Sequence, residues 1–151
     1  MIHEQSSKTK MTIYLDFDGT VVEHQYPLIG PLNIGCIEVI DKLCKTGHEI
    51  VINSMRAEYD KTLLKEAIEF LNKSLSDLNN STNKYSLIHT DYKYDPTKWD
   101  WNLHFETKRI FIDDVCEGIP LKNGVSIKRA MVDWEKLNVE FEERGLFNPE
   151  V

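Results

Sequence analysis

Short apolar runs alternate with stretches of helical periodicity along this chain. Residues 11–16 (MTIYLD) form an apolar run that stops abruptly at acidic and glycine residues. The pattern predicts a buried strand with polar groups at its C-terminal end. Over 35–46, Cys36, Ile40, Leu43 and Cys44 fall on one helical face and Gly47 supplies a stop. A second buried strand is predicted at 49–53 (EIVIN), and a long amphipathic helix at 58–75, with Leu64, Ile68, Leu71 and Leu75 on one stripe. A third strand follows at 85–89 (YSLIH) and a fourth at 109–113 (RIFID). Asn123-Gly124, between short apolar runs in 121–127, signals a hairpin turn. The last helix is expected over 132–144, with Trp134, Leu137 and Phe141 on one face and Gly145 ending it. The Ser- and Asn-rich stretch 74–83 reads as a loop or a frayed helix end.

Strands alternating with helices predict an α/β fold, a Rossmann-like parallel sheet sandwiched by helices. In such sheets ligands bind at the carboxyl ends of the strands. Three of the four predicted strands end in polar residues suited to a site: Asp16; Asn53 and Ser54; Asp113 and Asp114.

Composition narrows the picture. The 151 residues are 41% hydrophobic and 28% charged, which suits one globular domain and excludes a disordered or fibrous chain. No apolar run approaches the roughly 20 residues needed to span a bilayer. Residues 1–10 are polar, without the apolar segment of a secretory signal, and read as a disordered leader to a domain over 11–151. The net charge of −7 argues against long nucleic acid, whose binding needs a basic surface. Cys36, Cys44 and Cys116 are an odd number without dense spacing, so they read as reduced core thiols and point to a cytoplasmic location.

Candidate chemistry begins at Asp16-Phe17-Asp18-Gly19-Thr20. Two carboxylates separated by one residue point the same way from an extended chain. The glycine lets the backbone turn sharply near a ligand. A nucleophilic carboxylate and a second carboxyl group that shuttles a proton form a workable pair for phosphoryl transfer. The competing reading is an ordinary Asp-Gly turn.

DFDGT at the first strand, Ser54 in INSMR and the Asp113-Asp114 pair in IDD together resemble the haloacid dehalogenase (HAD) superfamily from about Met11 to about Gly118. The stretch DFDGTVVEHQYPLIG, with GIP after IDD, further resembles a bacterial and phage group of small HAD hydrolases, some of them linked to capsular polysaccharide biosynthesis. The resemblance implies that Asp16 is a nucleophile forming an aspartyl-phosphate. It implies that Asp18 is the general acid and base, with its backbone carbonyl on a metal. Ser54 would hydrogen-bond the phosphoryl group, and Asp113 and Asp114 would hold Mg²⁺ with Asp16. Gly19, Thr20, Asn53 and Arg56 are the candidate substrate-binding residues, Arg56 because its fork suits a phosphate or carboxylate. Mg²⁺ prefers hard oxygen ligands such as these carboxylates.

The superfamily's third motif is a lysine that neutralises this charge. Lys108 would sit at the start of the fourth strand, about 16 Å from its catalytic end. Lys98 and Lys93 follow the third strand on the correct side. Lys98 is favoured because Asp95-Pro96-Thr97-Lys98 looks like a helix start. His24 is a loop histidine with either a substrate-facing or a structural role. Tyr92, Tyr94, Trp99 and Trp101 either stack on a substrate ring or pack a short helix onto the sheet.

Neither interval between motifs, Thr20 to Ser54 or Ser54 to Lys98, holds a separate cap domain. The expectation is an open, capless site, compatible with a homo-oligomer in which a partner subunit closes over it. The leading reading is a Mg²⁺-dependent phosphomonoester hydrolase acting on a small phosphorylated metabolite such as a sugar phosphate. The alternatives are a nucleotide or polynucleotide-end phosphatase and a non-catalytic HAD-like binding module.

Overall fold

A computed structural model describes residues 10–80, 87–89, 98–125 and 128–148. In chain order the elements are β1 (Thr12–Leu15), α1 (Cys36–Lys45), β2 (Glu49–Ile52), α2 (Arg56–Tyr59), α3 (Lys61–Asn79), β3 (Ile88–His89), α4 (Trp101–Thr107), β4 (Arg109–Ile112), β5 (Leu121–Asn123), β6 (Ala130–Val132) and α5 (Trp134–Glu143). The first four strands form a parallel sheet in the order β3-β2-β1-β4, flanked by helices. The chain therefore moves outward from β1 through β2 to β3, then returns to place β4 on the other side of β1. The direction of winding reverses between β1 and β4, where doubly wound sheets open a crevice at their carboxyl ends.

The core follows from strand alternation. Ile13 and Leu15 pair in register with Ile50 and Ile52 on one side and Ile110 and Ile112 on the other. All six are buried in one cluster with Ile40 and Leu43 of α1, Leu64, Leu71 and Leu75 of α3, and Trp134, Leu137 and Phe141 of α5. The opposite face carries Tyr14 stacked on its register partner Phe111, with ring centroids 4.6 Å apart.

Trp99 and Trp101 take the packing role. Both indole N–H groups donate to Glu140 Oε1 at 2.8 Å, and both rings lie against Phe141, which ties α4 to α5. Tyr92 and Tyr94 lie outside the described residues. Cys36, Cys44 and Cys116 form no disulfide, and burial raises the thiols of Cys36 and Cys44 to about 12. Among the described residues no helix is long and apolar enough to cross a membrane.

Several boundaries differ from the sequence reading. The predicted 58–75 helix is two, because Asp60 is extended and caps α3 by accepting from the Thr62 N–H at 2.8 Å. The polar stretch from Ser74 stays helical through Asn79 and ends at Asn80 in the left-handed conformation. The helix start sought at 95–98 is displaced: Asp100 caps α4 through the Asn102 and Leu103 N–H groups, and 95–97 lie outside the described residues. The hairpin exists, but Asn123-Gly124 is not its two-residue turn. Asn123 pairs with Ala130, which leaves a longer loop between β5 and β6. The final helix starts later, because Ala130–Val132 are consumed as β6 and Asp133 caps α5 through the Lys136 N–H. The expected leader falls, apart from Lys10, outside the described residues.

His48 fastens the two ends of this core. Its Nδ1 accepts from the Met11 N–H at 3.1 Å, so its Nε2 carries the proton donated to the Leu146 carbonyl at 2.7 Å. Burial, its largest influence, holds this imidazole below the ordinary value of 6.5. A histidine whose folded-state value is lowered stabilises the fold fully above about 6.5, and that stabilisation is lost as the pH falls from there. His48→Gln keeps an acceptor and a donor without titrating. Urea unfolding at pH 7.5 and pH 5 should show a smaller acid loss in the variant than in the wild type, and equal losses would contradict this role.

Candidate functional site

Four loops meet where the winding reverses. Asp16 follows β1, and its backbone N–H donates to the Ile112 carbonyl at the end of β4 at 3.0 Å. Asp113 and Asp114 follow β4, so a hydrogen bond between the two strands brings the acidic ends together. Ligand oxygens of Asp16, Asp113 and Asp114 all lie within 4.8 Å of one another. These three carboxylates line a cavity of about 430 Å³ together with Asp18, Ser54 and Arg56.

The floor is electrostatically crowded. Burial, then the Asp113 and Asp114 charges, push the Asp16 carboxyl well above the usual range. Burial raises Asp113 to about 6, and Asp114 is raised by burial as well. Thr20 partly offsets this by donating its hydroxyl to Asp16 Oδ2 at 3.0 Å. A divalent cation would relieve the repulsion, and three converging carboxylates are the hard oxygen set that Mg²⁺ accepts. Octahedral Mg²⁺ with bonds of ~2.1 Å spaces its ligand atoms by ~3–4.2 Å, a range that falls within the 4.8 Å bounding this cluster.

Asp18 belongs to a different arrangement. Arg56 Nε donates to its Oδ2 at 2.9 Å and Nη2 to its Oδ1 at 2.8 Å. The Arg56 side chain is fully buried. Its Nη2 also donates to the Leu28 carbonyl at 3.0 Å, while Nη1 donates to the carbonyls of Leu63 at 3.3 Å and Pro27 at 3.5 Å. A guanidinium has five N–H donors, and all five are engaged. Phe17 and Tyr26 place rings 5.1 Å from its central carbon. Arg56 therefore holds a carboxylate, as its fork suggested, but that carboxylate is the protein's own. No donor remains for substrate.

The other expected substrate contacts also change. Thr20 is buried and serves Asp16, while its carbonyl accepts from Asn33 and Trp134. Gly19 is a turn element with φ +84°; its N–H is used by the Val22 carbonyl, and a Cβ there would overlap the His24 ring. Asn53 is buried at the end of β2 and does not line the cavity. Ser54 does line it. Its hydroxyl oxygen accepts from the Arg56 N–H at 3.1 Å, which leaves the hydroxyl proton to donate into the cavity.

Lys98 is not brought to the carboxylates. It stands at the correct end of the sheet, but the chain there pairs with the loop after β4: the Trp99 N–H donates to the Glu117 carbonyl at 2.7 Å. Lys98 consequently lines a separate depression with Glu117 and Arg144. Lys93 lies outside the described residues. Lys108 caps α4 in the left-handed conformation before β4, at the far end of that strand, as the length argument requires. Among the described residues the cations of the cavity are Arg56 and Arg129, with His24 beside them.

Sequence reasoning missed Arg129, which the β5–β6 hairpin delivers from beyond the motifs, and the apolar residues at the mouth, Tyr26, Met55, Tyr59 and Val115. Adjacency to DFDGT, INSMR and IDD was the one signal that could have found the latter. His24 Nε2 hydrogen-bonds with the Ala130 carbonyl at 3.2 Å and lies 3.2 Å from Asp114 Oδ2, and burial lowers its imidazole from 6.5.

No family model and no curated protein matches the sequence. Among solved structures the chain is similar to a conserved protein coded by a locus of Bacteroides thetaiotaomicron. Identity is 26% and the TM-score 0.54, covering 89% of this chain and 92% of that one. The likeness extends over nearly all of both chains and shows a shared α/β fold.

Removing one partner of a buried ion pair typically costs about 3–5 kcal/mol. Arg56→Ala should lower unfolding stability by about that amount, and Arg56→Lys by less, because the charge stays but the fork is lost. A urea midpoint for Arg56→Ala equal to the wild type's would show that the fork does not hold these loops.

Proposed function

We propose that the chain is a Mg²⁺-dependent phosphomonoester hydrolase that works through an aspartyl-phosphate on Asp16. The observation that carries this reading is the convergence of Asp16, Asp113 and Asp114 at the winding reversal, with Asp18 fixed beside them by Arg56. The resemblance of DFDGT, Ser54 and Asp113-Asp114 to HAD phosphatases supports the same reading.

Each residue then has a chemical task. An Asp16 oxygen attacks phosphorus as the ester P–O bond breaks, and Thr20, hydrogen-bonded to Oδ2, fixes the rotamer of the nucleophile. Asp18, entering the step in its acid form, delivers its proton to the departing alcohol oxygen, and the carboxylate left behind is the one the Arg56 fork holds. In the second half-reaction it takes a proton from the water that attacks phosphorus, and the bond to Asp16 breaks. Arg56 occupies one lone-pair direction on each Asp18 oxygen, so another remains for that proton. Ser54 donates its hydroxyl to a phosphoryl oxygen. Asp113 and Asp114 would hold Mg²⁺ with Asp16, and the bound ion would supply positive charge to the phosphoryl group.

The test is turnover of small phosphomonoesters. Asp16→Asn should abolish it while the fold stays intact by circular dichroism, and EDTA should remove wild-type activity until Mg²⁺ is returned. Retained turnover in purified Asp16→Asn would sink the nucleophile; full turnover in EDTA would sink the metal. Lys98→Ala should change turnover little, and a hundredfold loss, typical of removing a preorganised electrostatic group, would return Lys98 to the site.

A further inference from the structure

The mouth of the carboxylate cavity is apolar. Tyr59 is 65% exposed, Val115 53%, and Tyr26 and Met55 44% each, yet all four line the cavity that holds Asp16. Large apolar side chains scattered singly over a surface are ordinary; a group gathered around one opening marks a binding site. The Tyr26 and Tyr59 ring centroids are 6.4 Å apart with planes inclined by 50°, so the two form a continuous aromatic edge. Neither is loosely placed. Tyr26 packs on the buried Arg56 guanidinium, and Tyr59 ends the short helix that Arg56 begins.

We propose that this rim is the leaving-group subsite and that it receives the base of a nucleoside monophosphate. The inference rests on the phosphomonoesterase reading and adds the class of substrate. With the phosphate on the acidic floor, the alcohol that carries it must lie against the rim. Among the described residues the rim offers rings and aliphatic carbon, with the Arg129 guanidinium beside them. A hexose would bring several hydroxyls to a surface with few partners for them, which burial penalises. A planar base stacks on such a surface whatever its identity, and a guanidinium adds to the stack. The ribose matters as a spacer. It lets phosphorus reach the floor while the ring stays at the mouth, whereas a ring bonded directly to the ester oxygen would be drawn down among the carboxylates. The net charge of −7 opposes a long strand, which favours the mononucleotide.

Tyr59 is the residue to vary, because Tyr26 also supports Arg56. Steady-state kcat/KM is measured with adenosine and cytidine 5′-monophosphates, ribose 5-phosphate, glucose 6-phosphate and acetyl phosphate, on the wild type, Tyr59→Leu and Tyr59→Phe. The nucleotides should exceed ribose 5-phosphate by about tenfold or more, the contribution expected of one stacked base. That ratio should collapse toward one in Tyr59→Leu and persist in Tyr59→Phe. Equal kcat/KM for nucleotide and ribose 5-phosphate, or a ratio indifferent to Tyr59→Leu, would overturn the subsite and leave the hydrolase standing. A preference for hexose phosphates would do the same. Failure to hydrolyse any of these phosphates, acetyl phosphate included, would defeat the hydrolase reading and the subsite together.

Discussion

Arg56 is the fastening on which the site depends. Its five N–H groups join the turn after β1, through Asp18, to the 27–28 loop and the first turn of α3. A fully buried guanidinium is tolerable only when every donor is matched, since an uncompensated buried charge costs several kcal/mol. Here the matching groups come from three segments that no strand or helix joins directly. The requirement to satisfy one cation therefore fixes two loops and a helix start at once, and the two loops, with α2, form walls of the cavity.

The sheet supplies the other half of the construction. Parallel pairing in register puts the ends of β1 and β4 side by side, so the residues after Leu15 and Ile112 have no choice but to meet. Gly19 then lets the chain fold back without displacing His24, whose ring contacts Asp114 and the Ala130 carbonyl. The β5–β6 hairpin is held to this turn by the Val132 N–H, which donates to the Gly19 carbonyl at 3.1 Å. One glycine thus connects the turn after β1, the acidic loop and the hairpin that brings Arg129.

The sheet was legible in the sequence because apolar runs bounded by polar residues have few other solutions. The carboxylate cluster was legible because strand ends in a parallel sheet share one edge. What escaped was decided by partners remote in sequence. Nothing near Arg56 reveals that Asp18, Pro27, Leu28 and Leu63 will absorb all its donors, so it read as a residue awaiting substrate. Thr20 was misjudged for the same reason. Lys98 shows the limit of counting residues along a strand: the argument chose the right end of the sheet, but the backbone contact of Trp99 with Glu117 chose the side. Capping by Asp60, Asp100 and Asp133 settled three helix starts. In each case the deciding group was a single aspartate a few residues from where the sequence signals had put the start.

Charge balance explains why the cavity is organised as it is. Arg56 and Asp18 cancel one another, and the pair's cation is turned inward, so it lends little to the floor. Among the described residues, Asp16, Asp113 and Asp114 then face one exposed arginine, Arg129, and a histidine that burial keeps below its ordinary value. Raised carboxyls are the signature of that imbalance. A phosphate dianion could not approach three ionised acids on the strength of Arg129 alone, because a surface cation is screened and worth little. Among the described residues no other cation is brought to the floor, so the proposed chemistry would draw its positive charge from solution, and a divalent ion among hard oxygen donors would supply it. On that proposal the two ends of the cavity divide the work: the floor, specified by charge, would accept a phosphate whatever it carries, and the apolar mouth would discriminate among leaving groups.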